Sequence, residues 1–118
     1  MRSQAVLVVE DEAAVALELD RLLQGFGYRV LGPALTVQQA LEMIEAEPPD
    51  AALLDVQLGG ELVTPVAEAL KARNVPFGLV TAFPDALEPA LRSVPMVLKP
   101  ISDGDEIRLL LESVLLPN

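Results

Sequence analysis

Residues 5–12 read Ala5-Val6-Leu7-Val8-Val9-Glu10-Asp11-Glu12, five apolar side chains running directly into three carboxylates. The apolar run is short, continuous and rich in valine, as in a strand buried on both faces, and its sudden end in charge marks where such a strand leaves the core. Four further apolar runs share this form, at residues 28–33, 51–54, 77–80 and 96–98, each bounded by glycine, proline or charge. Between the runs the period changes to that of a helix. Val15, Leu19, Leu22, Leu23 and Phe26 share one face, as do Val37, Ala40, Leu41 and Ile44, then Val63, Val66, Ala67 and Leu70, and finally Ile107, Leu110, Leu111 and Val114. Thr36 with Gln39 and Ser102 with Asp105 have capping-box spacing, and Gly25 and Asn74 stand where helices should stop. The fourth helix has only residues 85–93 available, with Pro89 inside it, so a short or irregular element is expected there. Strand and helix thus alternate five times, which predicts a doubly wound α/β fold: a parallel five-stranded sheet covered by helices on both faces.

Composition narrows the function. The 118 residues suit one domain spanning 1–118, and no output domain is expected to follow the last helix, which runs out at Leu116-Pro117-Asn118. With neither cysteine nor histidine, the chain offers no disulfide, no thiolate or imidazole metal ligand, and no phosphohistidine of its own. The formal net charge of −10 argues against nucleic acid and against anionic membranes as partners. No secretory signal or spanning helix is legible, so a cytoplasmic protein is expected.

In an open parallel sheet, ligands gather beyond the carboxyl ends of the strands. There the sequence offers Glu10, Asp11 and Glu12 after the first strand, Asp55 after the third, Thr81 after the fourth and Lys99 after the fifth. Crowded carboxylates repel one another, and a hard cation such as Mg²⁺ relieves them through oxygen ligands. Asp11 and Asp55 are the expected direct ligands, with Glu10 acting through water and the backbone carbonyl of Gln57 completing the set. A phosphoryl group on Asp55 would then meet Mg²⁺, the Lys99 ammonium and the Thr81 hydroxyl, with Asp55 as the nucleophile and the other groups stabilising charge. Singly, each residue has a plainer reading. The acidic triplet suits a helix N-terminus, Asp55 a turn before Gly59-Gly60, Thr81 a strand end and Lys99-Pro100 a solvated loop. Their joint placement at four of the five strand ends is what points to one site.

In these pieces, Val8-Val9-Glu10-Asp11, Leu53-Leu54-Asp55-Val56, Val80-Thr81-Ala82 and Leu98-Lys99-Pro100, the chain resembles the receiver domains of bacterial two-component response regulators over essentially its whole length. The resemblance implies a flavodoxin-like fold with strand order 2-1-3-4-5. It also implies phosphorelay from the phosphohistidine of a sensor histidine kinase or a histidine phosphotransferase to an aspartyl phosphate at Asp55, and signalling to a downstream protein partner. The acidic pair would bind Mg²⁺, and Thr81 and Lys99 would sense the phosphoryl group. No conventional enzyme is implied, only phosphorylation and dephosphorylation of the chain itself at Asp55. Residues 55–61 and 79–83 look like the output-less, FATGY-type receivers of alphaproteobacteria, with Ala82 and Phe83 in place of that motif's glycine and tyrosine. Where many receivers carry a switch aromatic, three residues before the lysine, this chain has Met96. The switch set is therefore Thr81, Phe83 and Met96, with core packing as the plainer role for Phe83. Residues 81–93 are expected to move most on activation, and Gln57 and Phe83 to tune the phosphoryl lifetime.

Three other readings stand beside this one. A binding-only pseudo-receiver is opposed by the intact Asp11, Asp55, Thr81 and Lys99 set. A flavin-binding relative is opposed by the acidic loop where a flavin phosphate would sit. A receiver fragment of a larger regulator or hybrid kinase stays open. Leu109, Leu115 and Leu116 are expected to be exposed, as a partner or homodimer surface.

Overall fold

The apolar run at the N-terminus forms the central strand β1 (Ala5–Val9), every residue of it buried. The structure, a computed structural model, describes residues 3–116; Met1, Arg2, Pro117 and Asn118, on which the readings of the chain ends rest in part, lie outside the described residues. Helix α1 (Ala13–Gly25) follows, then β2 (Arg29–Ala34), α2 (Val37–Ala46), β3 (Ala51–Leu54), the short strands β4 (Gln57–Leu58) and β5 (Glu61–Leu62), α3 (Thr64–Ala72), β6 (Phe77–Thr81), β7 (Met96–Leu98) and α4 (Gly104–Leu115). The main sheet has the order β2-β1-β3-β6-β7, and its pairings are parallel. With the five main strands numbered alone, this is the expected order 2-1-3-4-5.

Alternation along the strands divides the core in two. Val6, Val8, Leu53 and Val80 pack with Leu19, Leu23, Ile107 and Leu111 of α1 and α4. Leu7, Val9, Leu54 and Leu79 pack with Ala40, Ile44, Val66 and Leu70 of α2 and α3. Both faces of the sheet are thereby sealed, and the strand ends are left as the place for polar chemistry.

Four details bear on the expectations, and the third of them fulfils one. First, β2 is shifted by one residue and is an edge strand with only Ala34 fully buried. An edge tolerates Pro33, which has no N–H to give to a neighbour. Second, residues 57–62 form an antiparallel hairpin, made possible by Gly59 and Gly60 at φ 53° and 87°, the paired left-handed conformations of a two-residue turn. Third, the short and irregular element expected at residues 85–93 takes the form of two 3₁₀ turns, Pro84–Ala86 and Pro89–Leu91, each opened by a proline that suits a first turn and not an interior. Fourth, the caps differ in part. Thr36 accepts from Gln39 N–H and α1 ends at Gly25, both as expected, and Asn74 is left-handed, but Asp103, not Ser102, caps α4, and the left-handed residue after α1 is Gly27. Leu115 is half-buried against the α1–α4 core, whereas Leu109 and Leu116 are exposed.

Gly32 gives a direct test of the β1–β2 junction, where the register shifts between Leu7 and Val9. Its φ is 97°, and a Cβ there would lie 2.8 Å from the carbonyl oxygen of Val8 and 2.8 Å from the backbone nitrogen of Ala34. Neither backbone atom can step aside without breaking pairing. Gly32→Ala is expected to cost about 2–3 kcal/mol, read as a lower urea midpoint at unchanged slope.

Candidate functional site

Glu10 follows β1 directly and is held back under the sheet edge, 1% exposed, with its backbone N–H donating to Ala34 O. Asp55 follows β3 in the same way, 8% exposed, its N–H donating to Val9 O. The parallel register that aligns Val9 with Leu54 therefore brings these two carboxylates side by side. Asp11 is exposed, and its Oδ2 accepts from Gly59 N–H at 2.9 Å, so the hairpin tip leans on the acidic loop. One oxygen from each of Glu10, Asp11 and Asp55 can be chosen so that all three lie within 4.8 Å of one another.

Lys99 reaches into this cluster from the end of β7. Its Nζ lies 3.0 Å from Asp55 Oδ2, 2.8 Å from Glu10 Oε1 and 2.7 Å from Glu12 Oε1. Glu10 Oε1 is off the angle of a hydrogen bond to that ammonium, so it is neutralised by charge proximity alone and keeps a buried acceptor free. Burial pushes the Glu10 carboxyl up to about 7, against the opposing effects of Lys99 and of the Glu12 N–H, which donates to Glu10 Oε2. For Lys99, burial acts to lower the pKa, but the close carboxylates of Glu10, Glu12 and Asp55 outweigh it and hold the ammonium above its ordinary value. An oxygen-only donor set with a buried, incompletely satisfied carboxylate fits a hard divalent cation.

A cavity of about 240 Å³ opens over this cluster, lined by Asp11, Glu12, Asp55, Gln57, Gly59, Gly60, Ala82, Phe83 and Lys99. Larger grooves of about 610 and 630 Å³ run beside α4, but their linings are mainly apolar and contain none of these carboxylates. Gln57 is exposed at the cavity rim. Thr81 is fully buried, does not line the cavity, and its hydroxyl accepts from Phe83 N–H at 3.1 Å. The Phe83 ring is 62% exposed, which removes core packing as its role. Met96 is half-buried against the core on the α2–α3 side and stands apart from the cavity lining. Sequence reasoning missed two contacts, Glu12 with Lys99 and Asp11 with the Gly59 amide. The signal available for the first was the third consecutive carboxylate after β1.

Residues 6–108 match the response regulator receiver domain. The chain belongs to the response regulator receiver family. Among curated relatives, the receiver is 33% identical over 105 residues to the phyllosphere-induced regulator PhyR of Methylorubrum extorquens, covering 85% of this chain and 39% of that protein. It is 33% identical over 107 residues to the transcriptional regulatory protein PdtaR of Mycobacterium tuberculosis, covering 86% of this chain and 52% of that one. The chain therefore spans about half or less of the length of these relatives. Among solved structures, SdrG of Sphingomonas melonis Fr1 superposes on the receiver with a TM-score of 0.87 at 38% identity, over 98% of this chain and all, 100%, of that one. The PhyR receiver domain of Erythrobacter litoralis does so with a TM-score of 0.86 at 31% identity, over 98% and 95% of the two chains. Among the described residues, no helix is long and apolar enough to cross a membrane.

Proposed function

We propose that this receiver, acting as one domain across residues 1–118, accepts a phosphoryl group on Asp55 from the phosphohistidine of a sensor kinase or a histidine phosphotransferase. The observation that carries the reading is the Lys99 ammonium 3.0 Å from Asp55 Oδ2, beside the carboxylate cluster that Asp55 forms with Glu10 and Asp11. In the transfer, a carboxylate oxygen of Asp55 forms the new bond to phosphorus. The phosphorus–nitrogen bond to the donor imidazole breaks, and its electron pair stays on that nitrogen. Lys99 offsets the charge of the transferring oxygens, and the buried wall of β1 and β3 holds the nucleophile still. Mg²⁺, held by Asp11 and Asp55 with Glu10 and the Gln57 carbonyl in support, would neutralise carboxylate and phosphoryl charge when bound. The Thr81 hydroxyl, now on the Phe83 amide, is the group proposed to turn to the phosphoryl oxygens, and this would release the backbone at Phe83. Met96 is not part of the cleft lining and is assigned no more than support of that shift.

The proposed output is contact with a protein in the cytoplasm. The net charge of −10 disfavours DNA, and one structural relative, PhyR of Bartonella quintana, is described as an anti-anti-sigma factor. The test is a titration with beryllofluoride and Mg²⁺ followed by amide NMR. Saturable shifts concentrated in residues 55–61 and 81–93 are expected. A spectrum that does not change, with Mg²⁺ in excess, rejects the phosphoacceptor reading.

A further inference from the structure

Glu12 is the one partner of Lys99 that lies outside the buried cluster, and its position has a cost that demands a reason. It is the N-cap residue of α1, with extended backbone angles, yet its side chain caps nothing. A carboxylate there would ordinarily accept from the free N–H groups of the first turn. Instead Oε1 reaches across the site to Lys99, 87 residues away in sequence, at 2.7 Å.

An ammonium has three N–H donors; Lys99 gives one to Glu12 and one to Asp55, and Glu10 Oε1, 2.8 Å from Nζ without a hydrogen bond, crowds the third. While Asp55 is still a free carboxylate, an approaching phosphoryl oxygen can meet Nζ only if one of the three lets go. Glu10 is 1% exposed and cannot swing into water, and Asp55 is the acceptor itself. The Glu12 side chain is 60% exposed, so its release costs little, because an exposed carboxylate is readily rehydrated. The N–H groups at the start of α1 also give it a second home.

We propose that Glu12 is a positioning residue that clamps Lys99 in the unphosphorylated receiver, standing in for a phosphoryl oxygen and leaving when a real one arrives. The inference rests on the phosphoacceptor reading of Asp55 and deepens it. Glu12 competes with the incoming group for one donor and thereby weakens uptake.

The test is beryllofluoride affinity at saturating Mg²⁺ for the native chain, Glu12→Gln and Glu12→Asp. The aspartate keeps the negative charge but falls one methylene short of Nζ and prefers the cap. Both variants are expected to bind about two- to fivefold more tightly, the range set by release of an exposed ion pair. A residue with a merely structural role would lose affinity when replaced. Tighter binding by Glu12→Gln with native affinity in Glu12→Asp would mean that negative charge alone matters, and it overturns the clamp. Native affinity in both variants overturns it as well, since Lys99 would then exchange Asp55 and not Glu12. If none of the three proteins binds, the phosphoacceptor reading itself falls, and the clamp with it.

Discussion

Asp55→Asn is expected to take up no phosphoryl group, from a kinase or from a small-molecule donor, while staying folded. The carboxamide keeps the shape of the side chain at a site only 8% exposed, so the β1–β3 edge has no cavity to collapse into. What it loses is the anionic oxygen that bonds to phosphorus, and a neutral amide is too weak a nucleophile to replace it. Lys99 keeps Glu10 and Glu12 as partners, so the ammonium stays in place. Glu10 gains, because the nearby Asp55 charge is one of the causes that raise its carboxyl, and that cause disappears. Radiolabelled phosphotransfer over a time course measures the loss, and thermal unfolding checks the fold. Label in the variant at the native level would move the acceptor to Glu10 or Asp11, the other two carboxylates of the cluster.

The fold was legible because its signals are redundant along each strand. Val6 and Val8 face one core and Leu7 and Val9 the other, so an uninterrupted apolar run is what a strand covered on both sides must look like. The same redundancy located Asp55, Lys99 and Glu10, since the end of a parallel strand is set by where the apolar run stops. Features that depend on one or two backbone angles were less legible. The 57–62 hairpin rests on Gly59 and Gly60 alone, and two glycines beside an acidic strand end read equally well as an open loop. The α4 cap went to Asp103 because Asp and Ser are nearly equal as caps and adjacent in sequence. The Glu12–Lys99 pair was hidden for another reason: it joins an exposed side chain to a distant strand end, and no periodicity encodes such a contact. Phe83 was open between core and surface, and the 3₁₀ turn that begins at Pro84 decided it by turning the chain before the ring could reach the core.

Lys99→Met is expected to damage both stability and transfer, and the stability loss should grow with pH. In the native chain the ammonium sits between the Glu10 and Asp55 side chains, 1% and 10% exposed. Removing one member of a buried ionic group leaves the others without compensation, at a cost of about 3–5 kcal/mol when both carboxylates are charged. The window follows from Glu10. Burial has raised its folded-state value to about 7 from 4.5, so the folded native chain holds a proton across that interval that the unfolded chain has lost, and stability falls as pH rises through it. Lys99 is among the groups that oppose this rise, so in its absence the Glu10 value goes higher still. Below about pH 7 Glu10 is protonated in both folded proteins, and the difference between them is limited to the contacts of Asp55 and Glu12. Above about pH 7 the native Glu10 ionises beside an ammonium, while the variant must either keep its proton or bury a bare charge, so the gap widens until the variant's own Glu10 has titrated. Urea unfolding of both proteins at about pH 6 and about pH 9 measures this, with the larger separation of midpoints expected at the higher value. A gap that narrows as pH rises would contradict the assignment of Glu10 as the buried acid of the cluster. Phosphotransfer into Lys99→Met is expected to slow by about 100-fold or more, because the only cation this chain places beside Asp55 among the described residues would be gone.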